Sequence, residues 1–289
     1  MTYLIIGSNS FLGNSLFDYL RKKNQNVFGI SSNKKLKKFI FSTYSSHDIE
    51  EIIFKIKPSI IFDFKTYKVS NNANHYDKSL DEMISVTENI IKAYEKIKYD
   101  KVSINLISTK LLDYNPSTNH PYLNIKYNQE NKYKSIKSKN LNIEIKRIPN
   151  VLGIGDLNFT RLVPFCYLNY ILDRRVVLNS NQEARREYTF LDNFLHNIDN
   201  SIKDNKNFIL SNSEIINYMN ASMDVLNKKY LEVEWEKATH LDSFISCDSN
   251  NDEILQKDIL NNFVNITRWY LNNKNKVKDY YLKNKIEQS

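Results

Sequence analysis

Apolar positions along the first half of the chain come in two alternating rhythms. Tyr3-Leu4-Ile5-Ile6 is a short unbroken apolar run of the kind that forms a strand buried on both faces. Leu12, Leu16, Phe17 and Leu20 then recur at helical spacing and end in Arg21-Lys22-Lys23, where cations favour a helix C-terminus. Asn26 to Ser31 reads as a second strand, Asp48 to Ile56 as an amphipathic helix and Pro58 to Phe64 as a third strand. Asp81 to Lys96 is a longer helix, followed by a strand from Val102 to Ile107 and another from Ile143 to Arg147. Strand and helix in alternation predict a parallel sheet covered on both faces, the doubly wound α/β class, with ligands outside the carboxyl ends of the strands. The 289-residue length accommodates that domain over residues 1–150 and a smaller, mostly helical one over residues 151–289, with residues 185–212 expected to return to the first.

Composition sharpens this picture at one point. The chain has five glycines, where average usage would give about twenty. They stand at Gly7, Gly13, Gly29, Gly153 and Gly155. Gly7 and Gly13 bracket Ser8-Asn9-Ser10-Phe11-Leu12, between a predicted strand and a predicted helix. That is the context in which a glycine turn presents backbone N–H groups and a helix N-terminus to a pyrophosphate, with Ser10 where a middle glycine is usual. The second strand ends in Ser31-Ser32-Asn33-Lys34-Lys35, without the carboxylate that holds a ribose 2′-hydroxyl in NAD sites. Ser31, Ser32 and Lys34 could receive a 2′-phosphate, so NADP(H) is favoured over NAD(H).

The net charge of +8 is spread over lysines along the whole chain rather than along one stripe, so no nucleic-acid partner is expected. No apolar run approaches the roughly 18 residues of a membrane span. The N-terminus lacks a basic region followed by a long apolar stretch. With two cysteines, Cys166 and Cys247, both are expected reduced, in a cytoplasmic protein. Cys166 reads as a small core side chain. The five histidines His47, His75, His120, His196 and His240 are isolated, so no metal site is expected.

Chemistry gathers after the Val102–Ile107 strand. Ser108 and Thr109 stand at its end, and Tyr122 and Lys126 follow at i and i+4, on one helix face. An ammonium beside a phenol lowers the phenol pKa and makes it a usable proton donor or acceptor. Tyr133 and Lys137 repeat the spacing, but Lys137 leaves too little chain before the strand at Ile143, whereas Lys126 lies 21 residues before Arg147.

Together these residues resemble the extended short-chain dehydrogenases/reductases of the NAD-dependent epimerase/dehydratase family, which act on nucleotide sugars. Gly7 to Gly13 is similar to the family's cofactor loop, with Phe11 and Leu12 inside it, and Thr87 to Ile91 to the start of a helix beneath the cofactor. Ser108-Thr109 is similar to its hydroxyl motif, with Thr109 on the catalytic position, and Tyr122 and Lys126 fall on the catalytic pair. Arg147 to Asp156 resembles the crossing into the substrate domain, where Asn150 falls on a nucleotide-diphosphate contact. Arg186 to Asp192 resembles the segment whose arginine grips the phosphates, and Ile266 to Tyr270 the closing helix. The resemblance implies that Tyr122 exchanges a proton with a sugar oxygen while hydride moves between C4 and the nicotinamide, with Lys126 holding the nicotinamide ribose and Ser108 and Arg186 on the substrate. It also implies a homodimer through paired helices.

Lys110-Leu111 stands where dehydratases of the family carry an acid and a base, and neither cysteine stands beside Thr109 as the fucose-synthase type requires. Reduction of a nucleotide-linked 4-keto sugar, in the manner of the CDP-3,6-dideoxyhexose reductases of the abequose/paratose synthase type, is therefore expected first. C4 epimerisation is the alternative, and a non-catalytic cofactor-binding regulator, suggested by Ser10 and Lys65, is the third reading. The Lys/Asn-rich tail from Asn272 reads as a frayed helix end.

Overall fold

A computed structural model describes residues 1–65, 73–99, 101–114, 121–200, 207–236 and 253–286. His120, His240 and Cys247 lie outside them, as does the side chain of His75. The chain divides into two units, 1–148 and 149–289.

The first unit runs β1 (Thr2–Ile6), α1 (Phe11–Lys22), β2 (Asn26–Ser31), β3 (Ile40–Phe41), α2 (Ser46–Ile56), β4 (Ile60–Asp63), α3 (Ala73–Glu95), β5 (Val102–Thr109), α4 (Leu111–Tyr114), α5 (Pro121–Lys134) and β6 (Leu141–Ile148). Its six strands form one sheet in the order β3-β2-β1-β4-β5-β6, parallel throughout. The chain reverses its direction of growth between β1 and β4, the switch point at which such sheets bind ligands. Leu4, Ile5 and Ile6 are fully buried, as the unbroken apolar run predicts for a central strand. The α1 stripe of Leu16, Phe17 and Leu20 is buried, and Arg21 and Lys22 occupy its last turn.

The short β3 and α4 were not legible in the sequence, because neither two nor four residues carry a measurable period. α3 starts at Ala73, well before the predicted Asp81. β5 continues through Ser108 and Thr109, paired in register with Arg147 and Ile148 of β6. Both hydroxyl residues are therefore the last of a strand whose carboxyl end faces the ligand side.

The second unit contains β7 (Asn150–Leu152), α6 (Leu162–Ile171), β8 (Val176–Leu178), β9 (Arg185–Phe190), α7 (Leu191–Asn200), β10 (Phe208–Ser211), α8 (Asn212–Val225), β11 (Val233–Trp235), α9 (Glu253–Asn272) and α10 (Lys274–Ile286). Segment 185–212 supplies β9 and β10, which pair in the sheet β10-β9-β7 and fall in this unit rather than the first. The core is helical and aromatic, built around Tyr167, Met219, Phe263 and Tyr270, with Cys166 fully buried among them. Ser211 and Glu214 close a capping box at the start of α8. The tail is not a frayed end. It forms α10, whose Val277 is fully buried and whose Tyr280 and Tyr281 meet the Phe159 ring at 6.1 and 6.0 Å. Its apolar anchors are too widely spaced among lysines and asparagines to show as a stripe. Among the described residues, no helix is long and apolar enough to cross a membrane.

Candidate active site

β1 leads into the turn between Gly7 and Gly13. Gly7 has φ +75°, and a Cβ there would lie 3.0 Å from the Lys65 backbone nitrogen at the exit of β4. Ser8 is fully buried, donating its hydroxyl to the Ile5 carbonyl (2.7 Å) and its N–H to the Ile30 carbonyl (3.0 Å). Ser10 is the N-cap of α1, and its Oγ accepts the Gly13 N–H at 3.1 Å. The serine at the position of the usual glycine thus fixes the start of the helix. At a helix N-terminus the first N–H groups have no carbonyl one turn back. The Gly13 N–H is satisfied by Ser10, and the first turn of α1 carries no acidic residue. This cradle suits an anion such as a dinucleotide pyrophosphate.

Gly13 is required for a different reason. A Cβ on it would come within 2.6 Å of the Gly7 carbonyl oxygen, closer than real contacts allow. Gly13→Ala is expected to push α1 off β1. Overpacking of this kind costs about 1–3 kcal/mol, read as a lower urea midpoint, and dinucleotide affinity should fall about tenfold for each 1.4 kcal/mol the displaced turn loses.

At the end of β2 the three candidates for a 2′-phosphate separate. Ser31 is fully buried and its Oγ accepts the Asn33 N–H at 3.0 Å. Ser32 and Lys34 are exposed, the Lys34 ammonium lying 4.7 Å from the Phe41 ring centroid.

Thr109 ends β5, and Tyr122 and Lys126 lie on α5, which packs against it through the Lys126 bond to the Ile107 carbonyl. Thr109 is nearly buried and its Oγ1 accepts the Leu111 N–H at 3.3 Å, which leaves its own proton available to donate. Tyr122 is half-buried in the first turn of α5, one turn before Lys126. Lys126 is 4% exposed and donates to the Ile107 carbonyl (3.0 Å) and to Gln129 Oε1 (3.1 Å). Burial lowers its pKa to about 8 against the opposing pull of the Asp63 and Glu130 carboxylates. Ser108 takes a separate course. Its buried hydroxyl donates to Glu130 Oε1 at 2.6 Å, and Glu130 in turn accepts Arg147 Nε (2.9 Å) and Nη2 (2.6 Å). Burial raises the Glu130 carboxyl, but the hydrogen bonds from Arg147 and Ser108 outweigh it and hold the pKa below its ordinary value.

The second Tyr-Lys spacing falls apart in the fold. α5 ends at Lys134, before Lys137, and Tyr133 is buried with its hydroxyl donating to Asp63. Asp63 and Gln129 are the residues the sequence reading passed over, and Lys65 joins them. Asp63 is fully buried, and that burial raises its pKa despite the Tyr133 hydrogen bond. The Lys65 N–H donates to Asp63 Oδ1 at 2.7 Å, its carbonyl accepts Gln129 Nε2 at 3.2 Å, and its ammonium sits 4.5 Å from the Tyr44 ring centroid. Burial lowers the Lys65 pKa. The available signal was a carboxylate closing an otherwise apolar strand, Ile60-Ile61-Phe62-Asp63.

In the second unit, Asn150 and Arg186 share a sheet. Asn150 of β7 is in register with Tyr188 of β9 and donates its amide to the Glu187 carbonyl at 3.4 Å. Arg186 Nη1 donates to Asn212 Oδ1 at 2.8 Å. Cys166 has its thiol pushed up to about 12 by burial.

A doubly wound sheet with a glycine cradle at its switch point and a Tyr-Lys helix beside β5 defines a Rossmann-like nucleotide-binding protein. Residues 3–207 match the NAD dependent epimerase/dehydratase family, and the chain belongs to that family. Comparison with curated protein sequences gives no match.

Solved structures share the fold at low identity. UDP-glucose 4-epimerase from the hyperthermophilic eubacterium Thermotoga maritima, solved with UDP-glucose, aligns with a TM-score of 0.73 at 13% identity over 94% of this chain and 99% of its own. UDP-glucuronic acid 4-epimerase from Bacillus cereus, in complex with UDP-glucuronic acid and NAD, gives 0.73 at 15% over 94% and 99%. dTDP-glucose 4,6-dehydratase from Bacillus anthracis, in complex with NAD, gives 0.68 at 14% over 94% and 97%.

Proposed function

We propose that the protein is a nicotinamide-dependent oxidoreductase acting at C4 of a nucleotide-diphosphate sugar, and that its net reaction is reduction of a 4-keto sugar. The observation that carries this reading is the buried Lys126, one helical turn from Tyr122 and fixed on the Ile107 carbonyl, two residues before Thr109 at the carboxyl end of β5. The glycine cradle fits a dinucleotide, with the Phe11 and Leu12 N–H groups on its pyrophosphate, and Ser32 and Lys34 supply a hydroxyl and a cation where NADP(H) carries its 2′-phosphate. When bound there, the nicotinamide would supply hydride to C4. Lys126 has two of its three donors occupied and turns the third to the nicotinamide ribose, while its charge lowers the phenol pKa of Tyr122. Tyr122 gives its proton to the C4 oxygen, so ketone, hydride and proton sum to the alcohol. Thr109 donates to the same oxygen and orients it, and Ser108 holds the end of β5 against α5. Asn150 and Arg186 hold the diphosphate. A homodimer in the cytoplasm completes the reading.

Dehydration is disfavoured by Lys110 and Leu111 after Thr109, and the fucose-synthase chemistry by the buried, protonated thiol of Cys166. Epimerisation is the second reading, favoured by the enclosed hydroxyl of Ser31, which removes one of three groups for a 2′-phosphate.

The test is turnover with NADPH and with NADH against a panel of nucleotide-linked 4-keto sugars, beside nucleotide sugars bearing a C4 hydroxyl. Oxidation of NADPH by a 4-keto sugar is the expected result. Interconversion of C4 epimers without added reductant would establish the epimerase instead. Dinucleotide binding with no turnover of either class would leave the regulator reading standing.

A further inference from the structure

Gln129 lies on α5 three residues after Lys126 and is 2% exposed. Its amide is held at both ends. Nε2 donates to the Lys65 carbonyl at 3.2 Å, and Oε1 accepts the Lys126 ammonium at 3.1 Å. A backbone carbonyl can only accept and an ammonium can only donate, so the amide has one permitted orientation.

The anchor at Lys65 is itself fixed. Its N–H is bound by Asp63, and it is the peptide against which the Gly7 turn packs, at the 3.0 Å a Cβ on Gly7 would find. Gln129 therefore spans from the floor of the glycine turn to the ammonium of Lys126, across the ends of β4 and β5. The Ile107 carbonyl takes a second N–H of Lys126 at 3.0 Å. With two acceptors in place, the direction of the third N–H is set.

We propose that Gln129 is the positioning residue of Lys126: by fixing the ammonium between its own Oε1 and the Ile107 carbonyl, it aims the remaining N–H at the dinucleotide and ties that aim to the peptide under the glycine turn. This rests on the role given to Lys126 above. Asp63 from β4 and Glu130 from α5 act on the same ammonium, and Tyr133 and Lys65 act on it through Asp63. None of these replaces the neutral acceptor that Gln129 provides.

The test compares wild type, Gln129→Leu, Gln129→Glu and Tyr122→Phe. Acylation of Lys126 by trace acetic anhydride is followed against pH in protein free of cofactor, and dinucleotide affinity is titrated separately. Gln129→Leu removes an acceptor that favours the charged amine, so Lys126 is expected to label faster near neutral pH. Dinucleotide Kd should rise about 10- to 100-fold, the range for one hydrogen bond to a charged group. kcat should fall while KM for the sugar stays unchanged. Gln129→Glu restores an acceptor for Lys126 and adds a charge but cannot donate to the Lys65 carbonyl, so labelling should slow below wild type and affinity should recover in part. If the leucine variant does not fold, the glutamate variant carries the test by its slower labelling. Unchanged Lys126 labelling in a folded Gln129 variant overturns the inference. Failure of the functional reading is separate: it shows as full activity in Tyr122→Phe, or as no sugar turned over, while labelling and dinucleotide affinity still report on Gln129.

Discussion

Tyr122→Phe is expected to lower kcat about 10²- to 10⁴-fold, the range for loss of a positioned general acid, while leaving dinucleotide Kd and the unfolding midpoint near wild type. The substitution removes one oxygen from a half-buried side chain in the first turn of α5. Lys126 keeps its bonds to Ile107 and Gln129, so the cofactor side of the site is untouched. The pH profile adds a second check. With the Lys126 pKa lowered to about 8 by burial, the ammonium that supports Tyr122 is lost as pH rises through that value, and kcat/KM should fall there. Stability should move the opposite way. Unfolding returns Lys126 towards its ordinary 10.5, so between about 8 and 10.5 the unfolded chain binds the extra proton. Stability of the cofactor-free protein should therefore rise with pH in that window through this group. A Tyr122→Phe enzyme retaining more than about a tenth of wild-type kcat would sink the acid role.

The elements that position the chemistry were legible because each carries either an unbroken apolar run or a clean helical period. β1, α1 and β2 appear within a residue of their predicted limits, and the glycine scarcity marked the turn that joins them. Thr109, Tyr122 and Lys126 were legible as residue types at a spacing with a chemical reason. What the sequence hid is the wiring between elements. Gln129 looks like any polar residue of a weakly amphipathic helix until the fold places the Lys65 carbonyl above it. Tyr133, discounted because Lys137 leaves too little chain before the next strand, holds the buried carboxylate of Asp63. Ser10 looked like a defect in the glycine motif, and its worth as a helix cap appears only with the Gly13 N–H beside it. Contacts between residues far apart in the chain have no period, so no local pattern announces them.

Glu130→Leu is expected to destabilise the protein by about 2–4 kcal/mol, near the cost of breaking a buried pair by removing one partner. The Glu130 side chain is 1% exposed, and it accepts hydrogen bonds from two guanidinium nitrogens of Arg147, Nε and Nη2, and from the hydroxyl of Ser108. Leucine fills comparable volume but accepts nothing. Ser108 is then buried with its donor unmet, and among the described residues Arg147 keeps Asp113 as its carboxylate partner. The Arg147 side chain is 30% exposed and can rehydrate in part, which sets the figure below the full cost of an enclosed charge. Acid should reproduce a milder form of the defect. The folded carboxyl titrates below its ordinary 4.5, so its contribution is complete above that pH and is lost as pH falls through the folded value. Urea unfolding of Glu130→Leu, Arg147→Met and the double variant separates the charge from the packing. The double variant should recover stability relative to Glu130→Leu, because the half-buried guanidinium no longer faces an apolar partner, while Lys134, also paired with Glu130, is exposed and rehydrates. A single variant within about 0.5 kcal/mol of wild type, the range of an ordinary surface substitution, would show that the Ser108-Glu130-Arg147 chain does not hold the end of β5 against α5.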